Sequence, residues 1–381
     1  MENFVVSARK YRPSNFKSVV GQQHITTTLK NAIKNNHLAQ AFLFCGPRGV
    51  GKTTCARILA KTINCENLTS DFEACNECDS CKAFNQNASF NVHELDAASN
   101  NSVDDIRNLV EQVRYAPQKG NYKIYIIDEV HMLSTQAFNA FLKTLEEPPK
   151  YAIFILATTE KHKIIPTILS RCQIFDFNRI QIKDIGDHLK YIASEETIEY
   201  EEEALRLIAT KADGALRDAL SIFDLIVTYS AGNKLTYHET IDNLHILDYD
   251  YYFKVTDALL NESIGETLLI FDEILKKGFD GHNFIVGLSE HFRNLMVCKD
   301  PATVALLQVS ENAQERYVQQ SSSASLSFIL SALNICNQCD IHYKSSKSQR
   351  LHVELALMKL AKLPQAINLA ALAQEESKKK D

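Results

Sequence analysis

No stretch of this sequence approaches the ~20 apolar residues that a membrane-spanning helix needs, which excludes a helical membrane protein. The first sixteen residues carry charges and a proline where a signal peptide has its apolar stretch, so a cytoplasmic location is expected. Basic residues are not in excess: 41 Lys and Arg stand against 47 Asp and Glu, a net charge of −6. That balance excludes a protein that holds nucleic acid over its whole surface, and leaves room for a local basic face. Internal repeats are absent too. What is present is an ordinary globular balance, 45% hydrophobic and 23% charged, which excludes a long disordered chain. At roughly 150 residues per domain, 381 residues suggest two or three domains. The ten cysteines are unsuited to a disulfide framework in a reducing compartment, so their spacing must decide their role.

Residues 1–178 alternate strand and helix patterns. Ala41–Cys45 is a short apolar run ending at Gly46, and Lys52–Ile63 follows with helical character. Val92–Leu95 reads as a strand and Ser102–Val113 as a helix. Tyr122–Ile127 is a β-rich run ending in Asp128. Ala137–Leu145 repeats apolar residues at helical spacing until Pro148-Pro149 stops it. Ala152–Ala157 and Ile174–Phe177 complete the strand set. Such alternation predicts an α/β fold, a parallel sheet covered on both faces. After about Arg179 strand-like runs nearly vanish and amphipathic helical patterns dominate. Ser230–Lys234 reads as a linker, and the final EESKKKD as a frayed end.

Gly46-Pro47-Arg48-Gly49-Val50-Gly51-Lys52-Thr53 fits G-x-x-x-x-G-K-[ST] and lies between a buried strand and a helix. Glycines let backbone N–H groups wrap phosphates, Lys52 can reach the β- and γ-phosphates, and the Thr53 hydroxyl can ligate Mg²⁺. The helix N-terminus, reached through Thr54, adds a favourable dipole. ATP binding is therefore expected. Hydrolysis needs a metal-directing acid and a group that activates water. The Ile124–Ile127 run delivers Asp128 and Glu129 to the carboxyl end of a strand, where such sheets place their sites. Asp128 is the expected Mg²⁺ carboxylate and Glu129 the group that polarises the attacking water.

Cys65, Cys75, Cys78 and Cys81 form C-x9-C-x2-C-x2-C. Four thiolates in one short loop suit tetrahedral zinc. An iron–sulfur cluster is the rival reading, but the bacterial ferredoxin run requires a further C-x3-C-P, and Lys82 and Ala83 follow instead. Inert thiols are the third. In an insertion away from Asp128 and Glu129 in sequence, the metal reads as structural. Cys45 and Cys55 read as core. Cys336 and Cys339, a lone C-x2-C in a helical pattern, read as packing. His131, in the DEVH segment, reads as a hydrogen-bonded support rather than a ligand.

Several segments carry a resemblance: Lys10–Pro13 with Val19–Gln22, the phosphate loop, the four cysteines, and Leu95–Ser99. The segments IYIIDEVHMLS, FLKTLEEPP and ILATTE, Ser170–Cys172, and Gly214–Asp218 add to it. Together they resemble the gamma/tau subunit family of the bacterial DNA polymerase III clamp loader, AAA+ ATPases, densely from residue 7 to about 230. The resemblance implies an AAA+ P-loop domain over 1–178 with a zinc insertion at 65–81. It also implies a small helical lid at 179–243, a helical collar for oligomerisation at 244–363 and a flexible tail at 364–381. It implies that Arg171 is an arginine finger that touches the ATP of a neighbouring subunit. Thr158 or Thr159, the latter slightly preferred, matches a polar sensor near the γ-phosphate, and Arg217 matches the second sensor of the lid. It implies ATP, Mg²⁺ and Zn²⁺ as cofactors. The implied partners are the other loader subunits in a hetero-oligomeric ring, a sliding clamp and primed DNA. The implied activity is ATP hydrolysis within DNA polymerase III, the DNA-directed DNA polymerase of chromosomal replication. Longer members carry a C-terminal extension that binds the polymerase core and the helicase. This sequence ends at Asp381, just after the expected collar, as the short form does or a truncated chain would.

Two other readings compete. Asp128–His131 spells the box of a DExH helicase, which needs a second strand-rich motor domain. A subunit that keeps the fold and has lost the chemistry would not need Lys52, Thr53, Asp128 and Glu129 intact.

Overall fold

A computed structural model describes residues 5–378 apart from 118–119, 231–233, 245–246, 308 and 310. Most of the expected linker at 230–234 therefore lies outside the described residues. The chain divides into two compact units, residues 1–240 and 241–381.

The first unit is built on a parallel sheet of β1 (Ala41–Cys45), β2 (Val92–Asp96), β3 (Lys123–Asp128), β4 (Ala152–Thr158) and β5 (Gln173–Asp176), in the order β2-β3-β4-β1-β5. The central strands are the continuous apolar runs. Every residue of β1 and β4 is buried, whereas β5 at one edge exposes most of its side chains. Successive side chains point to opposite faces, so the sheet feeds two cores. Phe42, Phe44, Ile124, Ile126, Ile153 and Ile155 pack with α2 (Gln23–Lys34) and α3 (Lys52–Ile63). Leu43, Tyr125, Ile127, Phe154 and Leu156 pack with α5 (Val103–Val113) and α6 (Thr135–Glu146) on the other face. Ser102 and Asp105 close a capping box on α5, and Ser134 caps α6. Short helices α1 (Ser7–Lys10), α4 (Asp79–Asn85) and α7 (Pro166–Leu169) lie in the connections.

The register aligns the strand ends. Cys45 pairs with Thr158 and Asp176, and Asp96 with Asp128, so the carboxyl ends share one edge. Three helices close the unit: α8 (Ile182–Glu195), α9 (Glu202–Lys211) and α10 (Leu216–Tyr229). A two-residue ladder joins Glu199–Tyr200 to Lys234–Leu235. Among the described residues no second strand-rich motor domain follows, which removes the structural requirement of the helicase reading. α11 (Tyr237–Leu244) spans the boundary between the units.

The second unit is helical: α12 (Tyr249–Leu260), α13 (Ile264–Lys276), α14 (Gly281–Val297), α15 (Glu311–Ser323), α16 (Leu326–Tyr343) and α17 (Gln349–Lys378). Its core includes Phe253, Phe271, Phe284, Phe292, Phe328 and Leu357, with Cys336 and Cys339 buried as packing residues. Its last helix runs through Pro364 to Lys378, so 364–378 is helical where the sequence suggests a flexible tail. Proline removes one backbone bond, but the Ala, Leu, Gln and Glu residues after it are strong helix formers. Among the described residues no helix is long and apolar enough to cross a membrane.

Candidate functional site

The phosphate loop connects β1 to α3. Gly46 has a φ of 150°, and a Cβ there would come within 2.4 Å of the Phe177 carbonyl oxygen, so the loop tolerates only glycine at its start. Gly51, at φ 102°, occupies the left-handed region and opens α3 at Lys52. Lys52 folds back over the loop, and its Nζ donates to the carbonyls of Gly46 at 2.8 Å and Pro47 at 2.7 Å. Burial pushes its pKa down, and the Glu129 and Asp128 charges oppose that shift.

Next to it the Thr53 hydroxyl donates to Asp128 Oδ2 at 2.6 Å, although 75 residues separate them. A hydroxyl and a carboxylate at the start of a helix and the end of a strand form an all-oxygen donor pair of the kind Mg²⁺ takes. Glu129 follows in left-handed backbone, φ 48°. A non-glycine residue there costs about 1–3 kcal/mol and persists only where its surroundings fix it. Its amide donates to Asp128 Oδ1 at 2.9 Å, and its carboxylate accepts from the Thr159 hydroxyl at 3.0 Å. His131 Nδ1 lies 3.4 Å from Glu129 Oε2 and 3.0 Å from Thr158 Oγ1. The two threonines thus differ. Thr158 is fully buried against His131, and Thr159 reaches Glu129.

These groups open on a cavity of about 470 Å³ that the sequence reading did not delimit. Its lining also includes the apolar Val19, Val20, Ile180, Leu216 and Leu220. Arg12, to which sequence reasoning gave no role, also lines it, with Nε 3.3 Å from Thr54 Oγ1. Five cations face the cavity (Arg9, Arg12, Arg48, Lys52 and Arg217) against two carboxylates, Asp128 and Glu129. Five minus two leaves three net positive charges, in a chain whose net charge is −6. Arg217 reaches the cavity from the first turn of α10, where its amide approaches the Gly49 carbonyl at 3.4 Å. Arg171 is not among the lining residues. Its guanidinium is held at the other end of α7 by Glu146 at 2.7 Å, the Thr167 carbonyl at 2.8 Å and Ser170 Oγ at 3.1 Å.

The four cysteines come together. The Sγ atoms of Cys65, Cys75, Cys78 and Cys81 lie within 4.8 Å of one another. A Zn–S bond of ~2.3 Å implies S···S separations of about 3.8 Å in a tetrahedron, and Cys65 and Cys75 are already 3.5 Å apart. Backbone amides of Glu77 and Cys78 point at Cys75 Sγ, at 3.4 and 3.3 Å, and that of Cys75 points at Cys65 Sγ at 3.3 Å. The Cys78 and Glu77 amides draw the Cys75 thiol down to about 6. Amides aimed at sulfur stabilise thiolates, so the cluster could hold zinc. Glu73, in the same loop, accepts from the amides of Phe16 and Lys17 and pairs with Lys30, which fastens the insertion to α2.

Two family models match the chain. Residues 21–181 match that of the DNA polymerase III delta subunit, and 184–232 that of the DNA polymerase III clamp loader subunit ATPase lid domain. The gamma subunit of DNA polymerase III from Buchnera aphidicola (subsp. Acyrthosiphon pisum) is 35% identical over 363 residues, covering 94% of this chain and 99% of the relative. The tau subunit of Bacillus subtilis is 40% identical over 352 residues, 92% of this chain and 62% of that one. The tau subunit of Escherichia coli is 41% identical over 285 residues, 74% of this chain and 44% of that one. The chain thus spans about half the length of these tau relatives and nearly all of the gamma relative. Among solved structures, the RuvB Holliday junction branch migration motor of Thermotoga maritima is similar at 19% identity and a TM-score of 0.47. That match covers 66% of this chain and 79% of RuvB.

Proposed function

The chain belongs to the DNA polymerase III gamma/tau subunit family, and from that premise we propose that it is an ATP-hydrolysing clamp-loader subunit. In this reading it works in the cytoplasm in a hetero-oligomeric ring with other loader subunits. It binds ATP, opens a sliding clamp and leaves it closed on primed DNA. Residues 1–178 would be the AAA+ domain, 179–243 the lid and 244–363 the collar. The observation that carries the reading is the cationic cavity at the carboxyl edge of the sheet, with the phosphate loop, Asp128 and Glu129 on its wall.

Residues 46–54 wrap the phosphates, and Lys52 exchanges its two carbonyl partners for phosphate oxygens. Thr53 and Asp128 would hold Mg²⁺, which would supply charge neutralisation at the transferring phosphoryl group. Glu129, oriented by Thr159 and His131, accepts a proton from the attacking water. Arg217 on the lid senses nucleotide from the same subunit, and Thr159 links the phosphate end to Glu129. Arg171, which does not line its own subunit's cavity, serves the site of the next subunit, where a guanidinium stabilises charge on the phosphoryl group. Cys65, Cys75, Cys78 and Cys81 would hold zinc, which would cross-link the insertion.

Lys52→Ala tests the site. A charge-assisted hydrogen bond contributes roughly 1.5–3 kcal/mol, so the variant should bind ATP at least tenfold more weakly in an equilibrium titration. Its far-ultraviolet circular dichroism should match the parent. Unchanged ATP affinity would remove the phosphate-loop assignment.

A further inference from the structure

Lys61 is buried, with 4% of its surface exposed, in the last turn of α3. Among the described residues it makes no ion pair with an Asp or Glu. Its Nζ donates to Asn76 Oδ1. Asn76 sits between Cys75 and Cys78 in left-handed backbone, φ 63°, and its own amide side donates to the Ala74 carbonyl at 3.3 Å, which turns Oδ1 towards the lysine. Cys65 follows just beyond the end of α3, where its amide donates to the Thr62 carbonyl at 3.2 Å. Burial pushes the Lys61 pKa down, and the charges of Cys81, Cys65, Cys75 and Cys78 oppose that shift.

A buried ammonium without a counter-charge costs several kcal/mol, and a neutral amide oxygen does not offset that. Four thiolates with one Zn²⁺ carry a net charge of −2, at a site where Cys81 is buried and Cys65, Cys75 and Cys78 are half-buried. Each charge answers the other. We propose that Lys61 is the counter-ion of the zinc–tetrathiolate cluster, a positioning residue that holds the thiolates charged through its ammonium and the Cys75–Cys78 turn through Asn76. The proposal rests on the zinc reading above. It also ties the metal to the nucleotide site, since Lys61 and Lys52 lie on the same helix. The sequence gives no hint of this role, because a lysine late in a helix reads as a solvated residue.

The test compares the full chain with Lys61→Met, Lys61→Gln and Lys61→Arg, with Zn²⁺ as the probe, under reducing conditions. Zinc affinity is measured by competition with a chromophoric chelator, and thermal midpoints are recorded for loaded and chelator-stripped protein. Loss of an outer partner of a metal site weakens affinity by roughly 10–100-fold. Lys61→Met and Lys61→Gln should show that loss, and Lys61→Arg should stay close to the parent. The thermal midpoints should shift in opposite directions. Loaded Lys61→Met melts below the loaded parent, and stripped Lys61→Met melts above the stripped parent, because a stranded buried charge has been removed. A packing role cannot give that reversal. Unchanged zinc affinity in both neutral variants, or an equal downward shift of both forms, overturns the counter-ion role while leaving the zinc site standing. A parent chain that takes up no zinc overturns the zinc reading and the proposal together.

Discussion

In the assembled complex, Arg171→Ala is expected to keep ATP affinity near the parent value and to lose DNA-stimulated turnover by roughly 10³-fold, the low end for arginine fingers. The expectation follows from where Arg171 sits. It follows the end of α7 and is not among the residues that line the cavity with Lys52, Asp128 and Arg217, so a role in binding its own subunit's nucleotide is not expected. Its ion pair with Glu146, at 2.7 Å, joins two partly exposed side chains. Such surface pairs contribute at most about 1 kcal/mol, so the guanidinium is readily exchanged for a phosphoryl group on a neighbour. A contact present only when subunits are aligned gives ATP a preference for the aligned assembly, the differential stabilisation that a conformational switch requires. The check is steady-state hydrolysis by complexes reconstituted with clamp and primed DNA, beside equilibrium binding of a fluorescent ATP analogue. Full turnover in that complex would remove the trans role of Arg171.

Glu129→Gln should separate binding from chemistry. General-base groups contribute roughly 10²–10⁴-fold, and a loss of that order is expected in single-turnover hydrolysis. The amide is isosteric and can still accept from the Thr159 hydroxyl, 3.0 Å away in the parent. It cannot take a proton from water. The left-handed backbone at 129 is fixed from outside the side chain, by the amide bond to Asp128 Oδ1, so the fold should be retained. ATP affinity should hold, because Lys52, Thr53 and the loop glycines are untouched. Turnover near the parent rate would show that another group activates the water.

Much of this arrangement is legible in the sequence, because the strongest signals are local. β1, β3 and β4 are continuous apolar runs, and a glycine-rich turn followed by Lys52 bounds α3 at the residues expected. The helix pattern at 137–145 extends to Thr135–Glu146 because Ser134 supplies a cap. Cysteine spacing brings out the four-thiol cluster because its members lie in one short loop. What escapes is assembled from distant segments. The apolar lining of the cavity draws on Val19, Val20, Ile180, Leu216 and Leu220, and although Val19, Val20 and Leu216 lie in segments that carry the resemblance, none has motif chemistry of its own. Arg12 lies in a segment that resembles the family but carries no motif chemistry of its own. Arg217 looks like a surface helix arginine by periodicity, and only the close approach of Ala215 to Gly49 brings it to the phosphate loop. The charged end of the sequence does not reveal that the last helix continues past residue 364, because the helix formers after Pro364 lie outside the apolar pattern that marks the collar.

The central claim is that the cationic cavity hydrolyses ATP to load a clamp, and ATP turnover of the assembled complex tests it most directly. Turnover is measured with sliding clamp, primed DNA and unprimed single strands, added singly and in combination. The predicted result is a large stimulation that requires clamp and primed DNA together and disappears in the Lys52→Ala complex. Full stimulation by single strands alone, indifferent to the clamp, would contradict it.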